Sequence, residues 1–351
     1  MITLFGATGY TGRKIAAELE RRGLPFRIAG RSRERLTELS NSLPSRPAWI
    51  VADAQKNETL PPLFKDTRLL INCAGPFTDL GEKVAQMASF AGVHYLDTTN
   101  ELAFVYRLQT YHKMAVTNHS FLLPACAFEI ALSDVIIAKL LQETSAQHVY
   151  VVYHTPDTKI SKGTRLSALR SLTTSWIGFQ DGSWNGMVPA GKSSQFQFPS
   201  GVQTAIQIPS AEVFSVPWRH PVRSVEVWMT VSRSWGFWGP VVLPYFARFM
   251  RSIFGKWVYT LISRHDPLPV EDAESPFEIL IGVQEQQEQD WRQALVSGKG
   301  PYTLTAKIAG YAASRVLGNT NLPNGLITPS VLFSYGEFIE EMQANGIQFT
   351  F

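Results

Sequence analysis

Apolar positions in the first 125 residues fall into short blocks separated by stretches with helical spacing. Ile2–Phe5, Phe26–Ala29, Ala48–Ala52, Leu69–Cys73, His94–Asp97 and Phe121–Pro124 are short, mostly apolar runs, as expected of strands buried on both faces. Between them the pattern predicts helices over about Arg13–Arg22, Arg33–Leu43 (stopped by Pro44), Gly81–Ala91 and Leu102–Ala115. This alternation predicts a parallel sheet covered by helices: a Rossmann-type, doubly wound α/β domain over residues 1–130. After about Gln147 the texture changes. Val149–Tyr153, Val225–Val231, Glu278–Val283 and Tyr302–Ala306 read as strands, which predicts a second, α+β domain over 131–330 with a mostly antiparallel sheet. Helical spacing returns in Thr303–Leu317 and Ser334–Ala344, and helices of about 303–351 are expected to pack back onto the first domain.

One segment of the second domain stands apart. Over Tyr245–Ile262, read as one helix at about 100° per residue, Phe246, Phe249, Met250, Ile253, Phe254, Trp257 and Leu261 share one face, and Arg248, Arg251, Ser252 and Lys256 the other. With the preceding Trp235-Gly236-Phe237-Trp238-Gly239-Pro240, residues 235–263 read as an amphipathic segment. Its apolar stripe has three candidate partners: a membrane interface, its own domain, or a second copy in a homodimer.

Composition narrows the class. Hydrophobic residues make up 45% and charged residues 17%, a globular balance, and a net charge of +3 points to no nucleic-acid partner. The two cysteines, Cys73 and Cys126, form neither a disulfide framework nor a metal motif, so no metal is expected. A strand and a glycine turn begin almost at Met1, so no secretory signal peptide and a cytoplasmic location are expected. No apolar stretch is long enough to span a bilayer.

The candidate chemistry begins in Gly6-Ala7-Thr8-Gly9-Tyr10-Thr11-Gly12, a G-x-x-G-x-x-G loop between a strand and a helix. Glycines let backbone approach a pyrophosphate, and a helix N-terminus offers N–H donors and a positive dipole end. The second strand runs into Gly30-Arg31-Ser32. An acidic residue here would accept from ribose hydroxyls, whereas an arginine suits the 2′-phosphate of NADP(H), so Arg31 and Ser32 favour that cofactor. Asp53, after the third strand, has two open roles: accepting from the adenine amino group or capping a turn. Ala74, Gly75, Pro76 and Phe77 end the fourth strand at the edge where such sheets bind ligands, on the nicotinamide side. The Tyr-x-x-x-Lys pair of short-chain dehydrogenases occurs only as Tyr10 and Lys14, inside the phosphate loop, which excludes that catalytic arrangement.

Taken together, Gly6–Gly12, Ala29–Ser32, Asn72–Phe77 and His94–Glu101 resemble the saccharopine dehydrogenase-like oxidoreductases, in particular the branch with trans-acting enoyl reductases. Sparser matches follow at Lys162-Gly163-Thr164 and Leu326-Ile327-Thr328-Pro329. The resemblance implies a Rossmann domain, a second α+β domain and NADP(H). The family's Gly-Phe-Asp after the sixth strand is Ala127-Phe128-Glu129 here, so no role is carried over to that turn. The second domain is crowded with tryptophans, among them Trp176, Trp184, Trp218 and Trp228, and its main cations are Lys162, Arg165 and Arg170. That balance predicts a small hydrophobic substrate, lipid- or polyketide-like, reduced by NADPH at a C=C or C=O bond. Tyr95, Asp97, Tyr153 and Lys162 are the candidate proton donors by chemistry and position. Two alternatives stay open: a non-catalytic NADP(H)-binding redox sensor or lipid-surface adaptor, and a saccharopine reductase-like amino-acid dehydrogenase.

Overall fold

The computed structural model describes residues 1–142, 146–156, 160–174, 176–187, 191–264, 272–285 and 291–351. These divide into two compact units. The first comprises Met1–Asn100, Phe104–Ala131 and Tyr302–Ser334; the second comprises Glu101–Ala103, Leu132–Pro301 and Tyr335–Phe351.

The first unit opens β1 (Ile2–Phe5), α1 (Tyr10–Arg21), β2 (Phe26–Gly30), α2 (Arg33–Ser42) and β3 (Trp49–Val51). It continues β4 (Leu69–Asn72), α3 (Phe77–Phe90), β5 (His94–Asp97), α4 (Leu102–Leu108), α5 (His112–Thr117) and β6 (Phe121–Leu123). Helix α6 (Phe128–Gln142) then runs on into the second unit. Every residue of β1, β4, β5 and β6 is buried, the few polar ones, such as Thr3, Asn72 and Asp97, included. The sheet order is β3-β2-β1-β4-β5-β6, extended by a two-residue strand from Gly325–Leu326, and all pairings are parallel. Strand order reverses between β1 and β4, so the crevice at their carboxyl ends is the topological switch point.

The second unit contains β7 (Ala146–His154), α7 (Lys162–Thr173), β8 (Trp176–Gln180), β9 (Ser183–Met187), β10 (Ser193–Phe198) and β11 (Gly201–Gln207). After these come α8 (Glu212–Arg219), β12 (Ser224–Val231), α9 (Arg233–Met250), α10 (Ile253–Arg264), β13 (Pro276–Glu285) and β14 (Arg292–Lys299). The chain re-enters the first unit through α11 (Pro301–Gly318), β15 (Gly325–Leu326) and α12 (Pro329–Leu332), then ends in the second with α13 (Tyr335–Ala344) and β16 (Gln348–Thr350). The sheet runs β10-β11-β12-β7-β13-β14-β16, with β8 on β12 and β9 on β8. Only β12 and β7 are parallel among the described pairings, so the sheet is mixed and mostly antiparallel. Tyr150, Val152, Phe198, Ala205, Trp228 and Leu280 form a core cluster on it.

Several expected elements are corrected. Tyr302–Ala306, expected as a strand, is the first part of α11, because Leu304, Ile308, Ala312 and Ala313 bury one helical face. Helix α1 begins three residues before Arg13 because Gly9 takes the N-cap position. Helix α3 begins at Phe77 rather than Gly81. Leu102–Ala115 is interrupted by a 3-10 turn, Gln109–Tyr111. The expected single helix Tyr245–Ile262 is two, broken at Arg251–Ser252, where Gly255 fits against the Met250 backbone too closely for any Cβ.

Candidate functional site

The glycine loop is fixed to the sheet before any ligand is considered. The N–H groups of Gly6 and Ala7 both donate to the Ala29 carbonyl, at 2.9 and 3.1 Å. Gly6 has φ +79°, and a Cβ there would approach Ala74 N to 2.7 Å, so the loop lies against the end of β4. A Cβ on Gly12 would collide with the Gly6 carbonyl oxygen. Both glycines are therefore demanded by chain packing, and the result is a turn that brings bare backbone to the switch point. Helix α1 receives no side-chain cap at Gly9 and has no acidic residue in its first turn. Its positive dipole end is thus left uncompensated by any carboxylate of that turn, a fit for a pyrophosphate.

Arg31 is exposed directly after β2. Ser32 caps α2: its hydroxyl accepts from Arg35 N–H at 3.2 Å and donates to Glu34 at 2.7 Å. Arg33 stacks its guanidinium 5.4 Å from the Trp49 ring centroid. The Thr8 hydroxyl lies 3.6 Å from where a Cβ of Gly30 would be, so loop and strand end meet. Arg13, which the sequence reading passed over, donates to the Thr8 carbonyl at 3.4 Å and lies 3.8 Å from Glu38. Its position in the first turn of α1 was the available signal. Asp53 accepts from Gln55 N–H at 3.0 Å, the turn-capping arrangement of the two left open. Tyr10 stacks edge-on to Tyr302, and Lys14 donates to Thr303 at 2.9 Å, so both pin α11 against α1.

At the neighbouring strand ends, Asn72 organises the turn that carries Ala74, Gly75, Pro76 and Phe77. Its side-chain oxygen accepts from Ala74 N–H at 2.9 Å, and its amide donates to the Tyr95 hydroxyl at 3.1 Å. The Gly75–Pro76 peptide is cis. Asp97 accepts from Thr99 and Ala125 N–H groups at 3.0 and 2.9 Å, tying the end of β5 to the end of β6. Tyr95 and Asp97 are fully buried. Burial, and then the adjacent Asp97, push the Tyr95 hydroxyl well above its ordinary range, which keeps it protonated. The structure thus gives these two side chains positions that hold the edge in shape. Cys73 and Cys126 form no disulfide, and burial pushes the Cys73 thiol up to about 12. Glu129, to whose turn no role was carried over, lies in the first turn of α6 beyond β6, where burial pushes its carboxyl up to about 7.

The other two candidates belong to the second unit. The Tyr153 hydroxyl donates to the buried carboxylate of Glu212, which also takes hydrogen bonds from Ser133, at 2.9 Å, and Ser210. Lys162 opens α7, which Ser161 caps by accepting from Thr164 N–H at 3.2 Å. The tryptophans divide: Trp176 and Trp228 are buried in this unit, whereas Trp235, Trp238 and Trp257 are exposed. Among the described residues, no cluster of histidine, cysteine and carboxylate side chains could hold a metal, and no helix is long and apolar enough to cross a membrane.

Residues 2–120 match the family described as the saccharopine dehydrogenase NADP-binding domain. A trans-acting enoyl reductase of Mycobacterium tuberculosis is 34% identical over 149 residues, and one of Mycobacterium ulcerans is 32% identical over 150. Each match covers 41% of this chain and 36% of the relative, so the likeness spans little more than a third of those proteins. Among solved structures, the apo saccharopine dehydrogenase (L-Glu forming) of Saccharomyces cerevisiae superposes with a TM-score of 0.65 at 12% identity, covering 99% of both chains. That likeness is one of fold.

Proposed function

We propose, from the premise that residues 2–120 form a saccharopine dehydrogenase NADP-binding domain, that this protein is a reductase acting on a C=C or C=O bond of a hydrophobic small molecule. The observation that carries the reading is the uncapped α1 N-terminus beside an exposed Arg31, with no acidic residue in Arg31-Ser32-Arg33. Backbone at Gly6–Gly12 holds the pyrophosphate. Arg31, exposed directly after β2, meets the 2′-phosphate by charge and bidentate geometry. Ala74–Phe77, stiffened by Asn72, form the nicotinamide side. When bound, the nicotinamide supplies the hydride.

For the proton, Glu129 is the group this unit offers at the strand ends. A carboxyl held near neutrality stays protonated at the start of a turnover and can still release its proton. The names of the mycobacterial relatives favour an enoyl substrate over an amino acid. The aromatic-rich second unit supports a lipophilic one, taken from a lipid phase.

Calorimetric titration with NADPH and NADH, for wild type and Arg31→Ala, tests the reading. Preference for NADPH that disappears in the variant is expected. Absence of binding of either nucleotide refutes it, and tight binding with no turnover of any enone or ketone replaces the reductase by a redox-sensing adaptor.

A further inference from the structure

Helix α9 is built inside out. The residues it turns toward β11 are small: a Cβ on Gly236 would collide with the Thr204 methyl, Gly239 faces Ile206, and Ala247 is buried behind them. Apart from Met250, which is buried at the helix end, its largest apolar side chains are exposed. Phe237, Trp238 and Tyr245 on α9, with Phe254 and Trp257 on α10, are 58% to 74% exposed. Water-facing side chains of this size and number are unusual, because a helix lying on its own core directs its bulk inward and leaves its charges outside.

Charge identifies what covers them. From Ser232 to Arg264 the sequence carries five basic residues and no acidic one. Arg233, Arg248 and Arg251 are exposed, and Arg251 reaches the Thr174 carbonyl at the end of α7. Helix α7, which packs against both α9 and α10, adds Lys162, Arg165 and Arg170, again with no carboxylate. A protein partner of ordinary composition does not require a surface stripped of one sign of charge. An anionic bilayer favours one, and tryptophan, tyrosine and arginine are the residues that suit its headgroup layer. We propose that α9 and α10 dock this protein on the surface of an anionic lipid bilayer, lying in the headgroup layer with the aromatic side chains inserted and the arginines among the phosphates.

Co-sedimentation with vesicles tests this, using phosphatidylcholine alone and a phosphatidylcholine–phosphatidylglycerol mixture. Phe254→Ser/Trp257→Ser removes the inserted bulk, and Arg233→Glu/Arg248→Glu reverses the charge, all at exposed positions. Wild type is expected to pellet with the mixed vesicles, to release as salt is raised, and to lose at least roughly tenfold in affinity in either double variant. Uptake equal on neutral and mixed vesicles, or unchanged by the substitutions, overturns the proposal. So does a wild type that ignores vesicles and sediments as a dimer that Phe254→Ser/Trp257→Ser dissociates, since the face is then closed by a second copy. NADPH titration of the same variants in solution keeps the two readings apart: the docking surface and the nucleotide loop stand or fall separately.

Discussion

His94 makes the nucleotide-binding unit sensitive to acid. It opens β5 and is 8% exposed, with its ring stacked on Phe121 at 4.5 Å. Its Nδ1 accepts from the Phe121 backbone N–H at 3.2 Å, a role that requires that nitrogen to be unprotonated. Burial, and then the positive Arg68, lower its pKa from 6.5 to about 4. Between those values the unfolded chain binds a proton that the folded chain refuses. The stability conferred by a neutral His94 is therefore full above 6.5 and is lost as pH falls toward 4. At roughly 1.4 kcal/mol per pH unit the whole shift is worth about 3 kcal/mol, of which about 2 kcal/mol is gone by about pH 5. His94→Asn isolates the effect: its side-chain oxygen can accept from the same N–H, but it does not titrate. Urea unfolding of both proteins at about pH 7 and about pH 5 gives four stabilities. The variant starts lower, from lost ring packing, but should lose about 2 kcal/mol less on acidification. His154 and His220, also lowered by burial, cancel in the difference. An equal loss in the two proteins refutes the argument.

Other substitutions probe the site. Arg31→Ala should weaken NADPH by roughly tenfold or more and leave NADH nearly unchanged, read by calorimetry. Gly12→Ala drives a methyl into the Gly6 carbonyl and should abolish nucleotide binding or folding, read by calorimetry and circular dichroism, whereas Gly163→Ala, with nothing nearer than 3.7 Å, should be tolerated. Glu129→Gln tests the proton donor: wild-type turnover should fall as pH rises through about 7, and the variant should be slow with that step missing from its profile. Tyr153→Phe withdraws one donor from the buried Glu212 and should cost about 1–3 kcal/mol in thermal or urea unfolding, with little change in NADPH affinity.

The parallel sheet was legible because its strands are buried on both faces: Ile2–Phe5 and Leu69–Asn72 are mostly apolar runs bounded by turns. The glycine loop was legible because it needs its residues at fixed spacing. What sequence missed depends on surroundings. Helix α6 is buried on every side from Ile130 to Ile137, so its apolar residues show no period to read. Tyr302–Ala306 has strand-like chemistry, but the helical face through Ile308 and Ala312 outweighs it. The Asn72 bridge between Ala74 and Tyr95 joins residues that only sheet pairing makes neighbours. Glu129 reads as an ordinary helix-start carboxylate until its burial is known. The apolar stripe of Tyr245–Ile262 was visible, but its direction was not, because a hydrophobic period is the same whether it faces core or solvent.

The interleaving of the two units has a consequence for biosynthesis. Strand β15 pairs with β6 at Gly325–Phe121, contacts 204 residues apart in the chain. Lys14 and Phe128 likewise wait for Thr303 and Thr305. A ribosome delivers β1 to β6 early, yet the edge strand and outer helix that complete their unit emerge only after nearly all of the second unit. Through that interval the sheet has an open edge and the buried flank of α1 lies bare, the kind of exposed surface that chaperones recognise. Completion of the nucleotide-binding unit is thereby deferred to the final stretch of translation.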